Sequence, residues 1–483
     1  MSNHHVYING TWHKGNEEKR SIINPSNEQV ITEINDASLQ QTREAIEAAR
    51  HAFQYTNWPA DPSYRISVLR QLADLLEKDM EKFAYIETIN TGKPIRESRL
   101  DVSDSVQCLR YYANFLEQRT MTEKKMADGT TSKIIAEPIG VCALIVPWNF
   151  PLLLGIWKIA PALAAGNTIV FKPSELTPLS LLELTKLIDS IGLPPGVFNL
   201  VPGGGSPVGE TLVTHPHVEK ISFTGGTKTG RWIYEQCAGS LKRVSLELGG
   251  KSPLLVFEDA DLDNAVEWAM FASFLNQGEV CVAASRILVH EHLYDSFIDK
   301  LIKRLDSLRI GDPLDEKTEM GPLISSSHLE KVETYIQLGL QEGAVLLRGG
   351  ERIKEQGYYL SPAVFVNVHQ DMRIVQEEIF GPVITVQQFK NDKEAVELAN
   401  DTIYGLAAGI FSRDLERAEQ IARKLRAGTI WINSYHTPYV DAPWGGFKQS
   451  GIGRELGPQG FTAFTETKHV NISENGKPLG WYQ

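Results

Sequence analysis

The amino-acid sequence predicts an α/β protein with two doubly wound parallel-sheet domains and a small β arm. Three observations carry that prediction. From Val141 to Leu248, short apolar runs alternate with helical segments and glycine-marked turns, the pattern of strands buried on both faces and joined by helices. After Leu248 the alternation resumes with different loops, as far as about residue 449. The segment Thr122 to Ile135 is polar and then alternating around Asp128-Gly129, which suits a hairpin better than a core strand. A chain of 483 residues has room for about three units at about 150 residues each. We expect one unit from 1–118 with 139–249, a second from 250–449, and the arm from 119–138 with 464–483.

Taken in order, Val6-Tyr7-Ile8 reads as a strand before the Asn9-Gly10 turn. A helix is expected from Thr42 to Phe53 and longer ones between Tyr64 and Glu117, where Val68, Leu69, Leu72, Leu75 and Leu76 recur at three and four. Val141 to Val146 is a buried strand. Pro151 suits a helix start and Gly166 its end. Thr168 to Phe171 is a strand, Leu179 to Ile191 a helix closed by Gly192, and Val197 to Val201 a strand running into Gly203-Gly204-Gly205. Val218 to Phe223 and Val244 to Leu248 are further strands. Asp259 to Asn276 reads as turn and helix, Ala284 to His290 as strand, and His292 to Leu308 as helix. The tail, Phe464 to Gln483, returns to strand-like Val470-Asn471-Ile472, suited to pair with the arm or with another subunit.

Composition excludes several classes. Hydrophobic residues at 42% and charged residues at 22% exclude a disordered or fibrous chain. A net charge of −12 speaks against nucleic acid or an anionic membrane as partner, while leaving room for a local phosphate pocket. Cys108, Cys142, Cys237 and Cys281 are scattered, without the spacing of a zinc module or a disulfide framework, so no metal is expected. The first ten residues carry no apolar signal core, and the default address is the reducing cytosol. Between Ile139 and Phe171 the only charge is Lys158, yet Pro147, Asn149, Pro151, Pro161 and Asn167 interrupt it. Strand, turn, buried helix and strand fit this stretch better than a membrane span.

The candidate chemistry lies at strand ends. Gly203, Gly205 and Gly209 follow one strand; Thr224, Gly225 and Gly226 follow another and open a helix. Neither is a GxGxxG, so these glycines either turn the chain or offer a helix N-terminus to a pyrophosphate. Gly250-Lys251-Ser252 resembles the end of a P-loop, but Ser245 stands where its first glycine belongs, which rejects an NTPase. Lys172 and Glu175 are either a solvated pair or two groups for ribose hydroxyls. Cys281, in a turn after a helix, is either a small buried residue or a nucleophile. Glu247, ending an apolar strand, is either a surface carboxylate or a base whose pKa burial has raised. Asn149, after Pro147-Trp148, is either a turn amide or a donor to a developing oxyanion.

Together these segments resemble the aldehyde dehydrogenase superfamily, over nearly the whole chain. The pieces that carry the likeness are Pro147-Trp148-Asn149-Phe150-Pro151, Lys172-Pro173-Ser174-Glu175, Phe223-Thr224-Gly225-Gly226-Thr227, Leu246-Glu247-Leu248-Gly249-Gly250-Lys251, Gly278-Glu279-Val280-Cys281 and Glu377-Glu378-Ile379-Phe380-Gly381-Pro382. The resemblance implies an aldehyde dehydrogenase-like fold with a dinucleotide-binding unit, a catalytic unit and an oligomerisation arm. It implies Cys281 as nucleophile, Asn149 as oxyanion donor, Glu247 as base for water and Glu455 as a proton relay. It places Trp148, Lys172, Glu175, Thr224, Gly225, Gly226, Glu378 and Phe380 around the cofactor. A carboxylate at Glu175 would repel a 2′-phosphate, favouring NAD while leaving NADP possible. Gly226 departs from a common serine and Glu279 from a commoner glutamine.

The subgroup most alike is that of the betaine-aldehyde and aminoaldehyde dehydrogenases. Trp157, Trp444 and Phe150 match aromatics of their substrate pocket, and Asp101 with Asp104 matches an acidic pair at its entrance. Leu275 stands where plant members have tryptophan, so the aromatic cage is incomplete. The implied reaction is NAD-dependent oxidation of an ω-amino or ammonium aldehyde through a thiohemiacetal and thioester. The alternatives are a general aliphatic or aromatic aldehyde as substrate, a CoA-acylating relative, which Glu247 argues against, a cofactor-free cysteine hydrolase, and a silent relative. By the same likeness the chain is expected to form a homo-oligomer, dimer or tetramer.

Overall fold

Unbroken runs of valine, isoleucine and leucine need cover on both faces of a sheet. In the structure, a computed structural model, they lie at the centres of two layered sheets. Residues 4–120, 122–474, 476 and 480–482 are described; the rest of the ranges expected for the first unit and the arm (1–3, 121, 475, 477–479 and 483) lies outside the described residues.

The first sheet runs Gly451–Ile452, Arg243–Glu247, Lys220–Thr224, Val141–Ile145, Thr168–Lys172, Phe198–Leu200, Val6–Ile8 and Thr11–His13. Arg243–Glu247 through Phe198–Leu200 are parallel, and the flanking strands are antiparallel. The second sheet runs Val345–Arg348, Ala363–Val366, Val383–Phe389, Arg286–His290, Pro253–Val256, Ala407–Phe411 and Thr429–Ile432, parallel except at its first strand. A third sheet is the arm. Thr122–Lys125 pairs with Thr131–Pro138, and the tail strand Thr465–Ile472 pairs with the latter from Thr465↔Pro138 to Ile472↔Thr131. Of the two partners open to the tail, the described strand meets the arm of its own chain. A small hairpin joins Lys19–Ile23 to Val30–Asn35.

The helix Pro151–Ala165 is buried along its whole length, Lys158 included. That is why its sequence shows no polar face: it packs between the sheet and the helix Ile95–Gln118. It ends at Gly166, whose φ of 94° is left-handed. Asp261 caps Leu262–Phe274 by accepting from Asn264 N at 3.1 Å. The next helix, Tyr294–Leu305, is shorter than expected at both ends: residues 291–293 form a turn, with Leu293 N donating to His290 O, and the helix closes at Asp306. Among the described residues, no helix is long and apolar enough to cross a membrane.

Candidate active site

Four neighbouring parallel strands bring Pro147–Phe150, Pro173–Glu175, Gly225–Gly226 and Leu248–Gly250 to one sheet edge, their carboxyl ends. The second sheet's side supplies Cys281. The helix Leu262–Phe274 leads into a loop in which Asn276 (φ 46°) and Gln277 (φ 58°) are left-handed without being glycine. Such conformations cost of order 1–3 kcal/mol each and persist only when neighbours hold them. Here Glu97 Oε2 accepts from Asn276 N at 2.9 Å, Asn276 Nδ2 donates to Asn149 O at 3.1 Å, and Gln277 Oε1 accepts from Gly321 N at 3.2 Å.

Two cavities meet at this loop. One, of about 820 Å³, is walled by Phe150, Trp157, Phe271 and Trp444 and includes Asp101, Asp104 and Glu455. The other, of about 710 Å³, is walled by Trp148, Asn149, Gly225, Gly226, Glu378 and Phe380. Leu154, Thr224, Glu247 and Cys281 line both. A thiol and a carboxyl therefore stand where an apolar chamber opens into a more polar cleft.

Both oxygens of Glu247 are buried without a hydrogen-bond partner among the described residues. Burial first, and then the charge of Glu455, push its carboxyl well above the usual carboxylate range, against Lys158 and Arg454. Glu455 is itself tied to the buried Lys158 ammonium and accepts from Ser222 Oγ at 3.3 Å. Burial, with Glu378 and Glu247 nearby, pushes the Cys281 thiol up to about 12, so the resting thiol is neutral. Asn149 Nδ2 donates to Glu279 O at 2.9 Å. An amide nitrogen has two hydrogens, and the second is free to donate in the cleft that Cys281 also lines. The thiol, the carboxyl and an amide donor thus line one cleft.

The polar cleft suits an extended anionic cofactor. A Cβ on Gly226 would meet nothing within 4 Å, and this residue opens the helix Thr227–Ala238, which has no side-chain cap. Open ground therefore lies over unsatisfied N–H groups. Trp148 meets Phe380 edge to face at 5.3 Å and His328 at 5.2 Å, making an aromatic wall. Glu378 Oε1 accepts from Gly250 N at 3.1 Å. Lys172 and Glu175 line neither cavity, but lie farther along the same edge. Lys172 Nζ donates to Gly203 O at 2.6 Å and stands 3.7 Å from Glu175 Oε2.

In the apolar chamber, Trp157 and Trp444 stand 5.4 Å apart at 67°. The acidic pair differs from its expected form. Asp101 is buried and bonded to Lys93 Nζ at 2.5 Å, and that ammonium also sits 3.8 Å from the centre of the Phe150 ring. One acid is therefore neutralised inside the protein, and one face of Phe150 is already taken. Asp104 is half-buried, its carboxyl pushed up to about 6 by burial and by Asp101. Lys93, His328, Lys331 and His436 join the site without having been anticipated. Lys158 carried a usable signal, a lone charge in an apolar stretch; the others reach the site through long-range packing.

With this geometry established, the comparisons with known proteins become specific. The aldehyde dehydrogenase family model matches residues 12–470. The chain belongs to the aldehyde dehydrogenase family. Among its relatives in that family is the betaine aldehyde dehydrogenase of Bacillus subtilis (strain 168), 45% identical over 99% of each chain. Another is the peroxisomal aminoaldehyde dehydrogenase 1 of Pisum sativum, 42% identical over 100% of this chain and 98% of that one. The crystal structure of betaine aldehyde dehydrogenase from Staphylococcus aureus in complex with NAD+ superposes with a TM-score of 0.97. It is 41% identical over 99% of this chain and 97% of that one. Family and fold thus agree with the two-sheet architecture.

Proposed function

We propose that this protein oxidises an aldehyde to its carboxylic acid with NAD, with betaine aldehyde or another ω-amino or ammonium aldehyde as substrate. The observation that carries the reading is that Cys281 and Glu247 line both cavities at once. A substrate carbonyl held by the apolar chamber and a cofactor held in the polar cleft would meet only there.

Cys281 Sγ attacks the carbonyl carbon and gives a thiohemiacetal. The thiol is neutral at rest, so its proton must pass to a base, and Glu247 is the unpartnered carboxylate on the same wall. The free N–H of Asn149 and the backbone N–H of Cys281 hold the oxyanion. NAD, when bound, supplies the two-electron acceptor that converts this adduct to a thioester. Glu247, once the thiol proton has left it, takes a proton from water, which attacks the thioester and releases the acid. Glu455, tied to Lys158, gives that proton a route away from Glu247. Gly225, Gly226 and Thr224 would face the pyrophosphate, Lys172 and Glu175 the adenosine ribose, and Glu378, Phe380 and Trp148 the nicotinamide riboside. Glu175 supports NAD over NADP by repelling a 2′-phosphate.

The names of the relatives and the Trp157–Trp444 pair support a cationic substrate, which aromatic faces attract by roughly 0.5–2 kcal/mol. The Lys93–Asp101 pair favours a second reading, a neutral aliphatic or aromatic aldehyde, because it removes one of the carboxylates that would draw a cation. On the same reading, 1–118 with 139–249 form the dinucleotide-binding unit and 250–449 the catalytic unit. Residues 119–138 with 464–483 form the arm through which copies assemble as dimer or tetramer. Four unpaired cysteines support a reducing, cytoplasmic setting. NADH formation with betaine aldehyde and with a neutral aldehyde of similar size, measured beside Cys281→Ala, tests the substrate and the mechanism. Preference for the cation, abolished in the variant, is expected. Preference for the neutral aldehyde sinks the substrate assignment, and unchanged turnover in the variant sinks the mechanism.

A further inference from the structure

Glu279 stands two positions before Cys281, and the reaction as written gives it nothing to do. It is 1% exposed. Its backbone carbonyl accepts from Asn149 Nδ2, and its carboxyl Oε1 accepts from Ile324 N at 2.9 Å. The same Oε1 lies 3.6 Å from His328 Nε2. His328 Nε2 is 2.6 Å from Phe380 O. A carbonyl oxygen only accepts, so His328 donates there and carries its proton on Nε2. Burial pushes this imidazole down to about 4, which leaves it one ring proton at neutral pH. One N–H thus faces two acceptors, the Phe380 carbonyl close by and the Glu279 carboxyl beyond it. Phe380 is left-handed, with φ 65°, and lines the polar cleft against Trp148. A bulky residue keeps that conformation only while its neighbours hold it.

We propose that Glu279 is a positioning residue that acts through His328 on Phe380, and so sets the strength of cofactor binding by whether its carboxyl carries a proton. Protonated, Glu279 is a weak acceptor, and the His328 N–H stays on Phe380 O. Ionised, it becomes the stronger, charge-assisted acceptor and draws that N–H toward itself. Phe380 then loses the bond that holds its strained backbone, and the aromatic wall of the cleft loosens. The groups that face Glu279 are His328 and Lys331 from the helix Ser326–Gln341, Lys93 from the loop before Ile95–Gln118, and the Gln277 side chain. Both lysines favour the ionised form, but burial outweighs them and holds the carboxyl well above its usual range. The proton therefore leaves as pH rises through the range above the ordinary carboxylate, and cofactor binding weakens in that direction.

The proposal rests on reading the polar cleft as the NAD site, and its test separates the two. NAD dissociation constants would be measured by quenching of intrinsic tryptophan fluorescence from about pH 6 to about pH 9 in the wild type, Glu279→Gln and His328→Phe. Glu279→Gln keeps the volume and the acceptor for Ile324 but cannot ionise. In the wild type the constant is expected to rise about three- to tenfold with a one-proton dependence. In Glu279→Gln it should stay flat near the low-pH value, and in His328→Phe flat and weaker throughout. A wild-type slope surviving in either variant overturns the proposal. Absence of NAD binding in all three proteins overturns the cofactor reading, and this inference with it. Should Glu279→Gln fail to fold, the slope in His328→Phe still decides.

Discussion

The Lys158 ammonium and the Glu455 carboxylate form a buried ion pair whose charges both reach Glu247, the carboxyl that shares the cavity wall with Cys281. Glu455 raises the Glu247 pKa and Lys158 lowers it, so the pair balances the field at the proposed base. Lys158→Met leaves Glu455 buried and unpaired. Breaking such a pair costs about 3–5 kcal/mol, so the variant should melt well below the wild type. In the folded fraction, loss of the cation should move the base's apparent pKa up and shift the rising limb of the kcat profile to higher pH. A profile unchanged in position would mean that Lys158 serves stability alone.

Glu247→Gln tests both halves of the proposed reaction. The glutamine keeps the shape but cannot take a proton from water. General-base loss is worth about 10²–10⁴-fold. Steady-state turnover should fall by that order, and the first burst of NADH should slow with it, because the same carboxyl takes the Cys281 proton. Stopped-flow absorbance reads both phases. A burst that survives at the wild-type rate would show that the Cys281 thiol loses its proton to another group.

Cys281 was legible in the sequence because it falls in a turn just after a helix, and Glu247 and Asn149 because each is a polar group in an apolar stretch, which needs either a partner or a task. Lys158 had the same signature. The strands and helices between Val141 and Leu248 were legible because glycine and proline mark their ends, as Gly166 and Gly192 show with their left-handed conformations. What stayed hidden was long-range. Nothing near Lys93 in the sequence shows that its ammonium lies on Phe150, and nothing near His328 shows that it bonds Phe380. Likewise Asp101 and Asp104, three apart on one helix, looked alike, yet Lys93 neutralises only the first.

That asymmetry makes the proposed substrate pocket testable. Trp157→Ala and Trp444→Ala each remove an aromatic face, worth roughly 0.5–2 kcal/mol to a cation. KM for betaine aldehyde should rise by about two- to thirtyfold relative to a neutral aldehyde of the same size. Phe150→Leu should spare that ratio, since Lys93 already occupies a face of its ring. Equal losses for both aldehydes in the tryptophan variants would mean that the two rings act by packing and not by cation attraction.

Glu97 ties the Asn276 backbone to the helix Ile95–Gln118, and its buried carboxyl is pushed up to about 7, chiefly by burial. The sign of its effect on stability follows from linkage. In the unfolded chain this carboxyl loses its proton near 4.5, whereas the folded protein holds it to about 7. The folded state binds more protons across that window, so the contribution of Glu97 to stability is full below it and drains away as pH rises through it. Glu97→Gln keeps an oxygen for Asn276 N and removes the titration. Relative to the wild type, the variant should gain about 3 kcal/mol at most between those limits, read from urea unfolding midpoints at a series of pH values. A difference between the two proteins that does not change with pH would mean that Glu97 is ionised throughout. The Asn276 turn would then rest on a buried carboxylate.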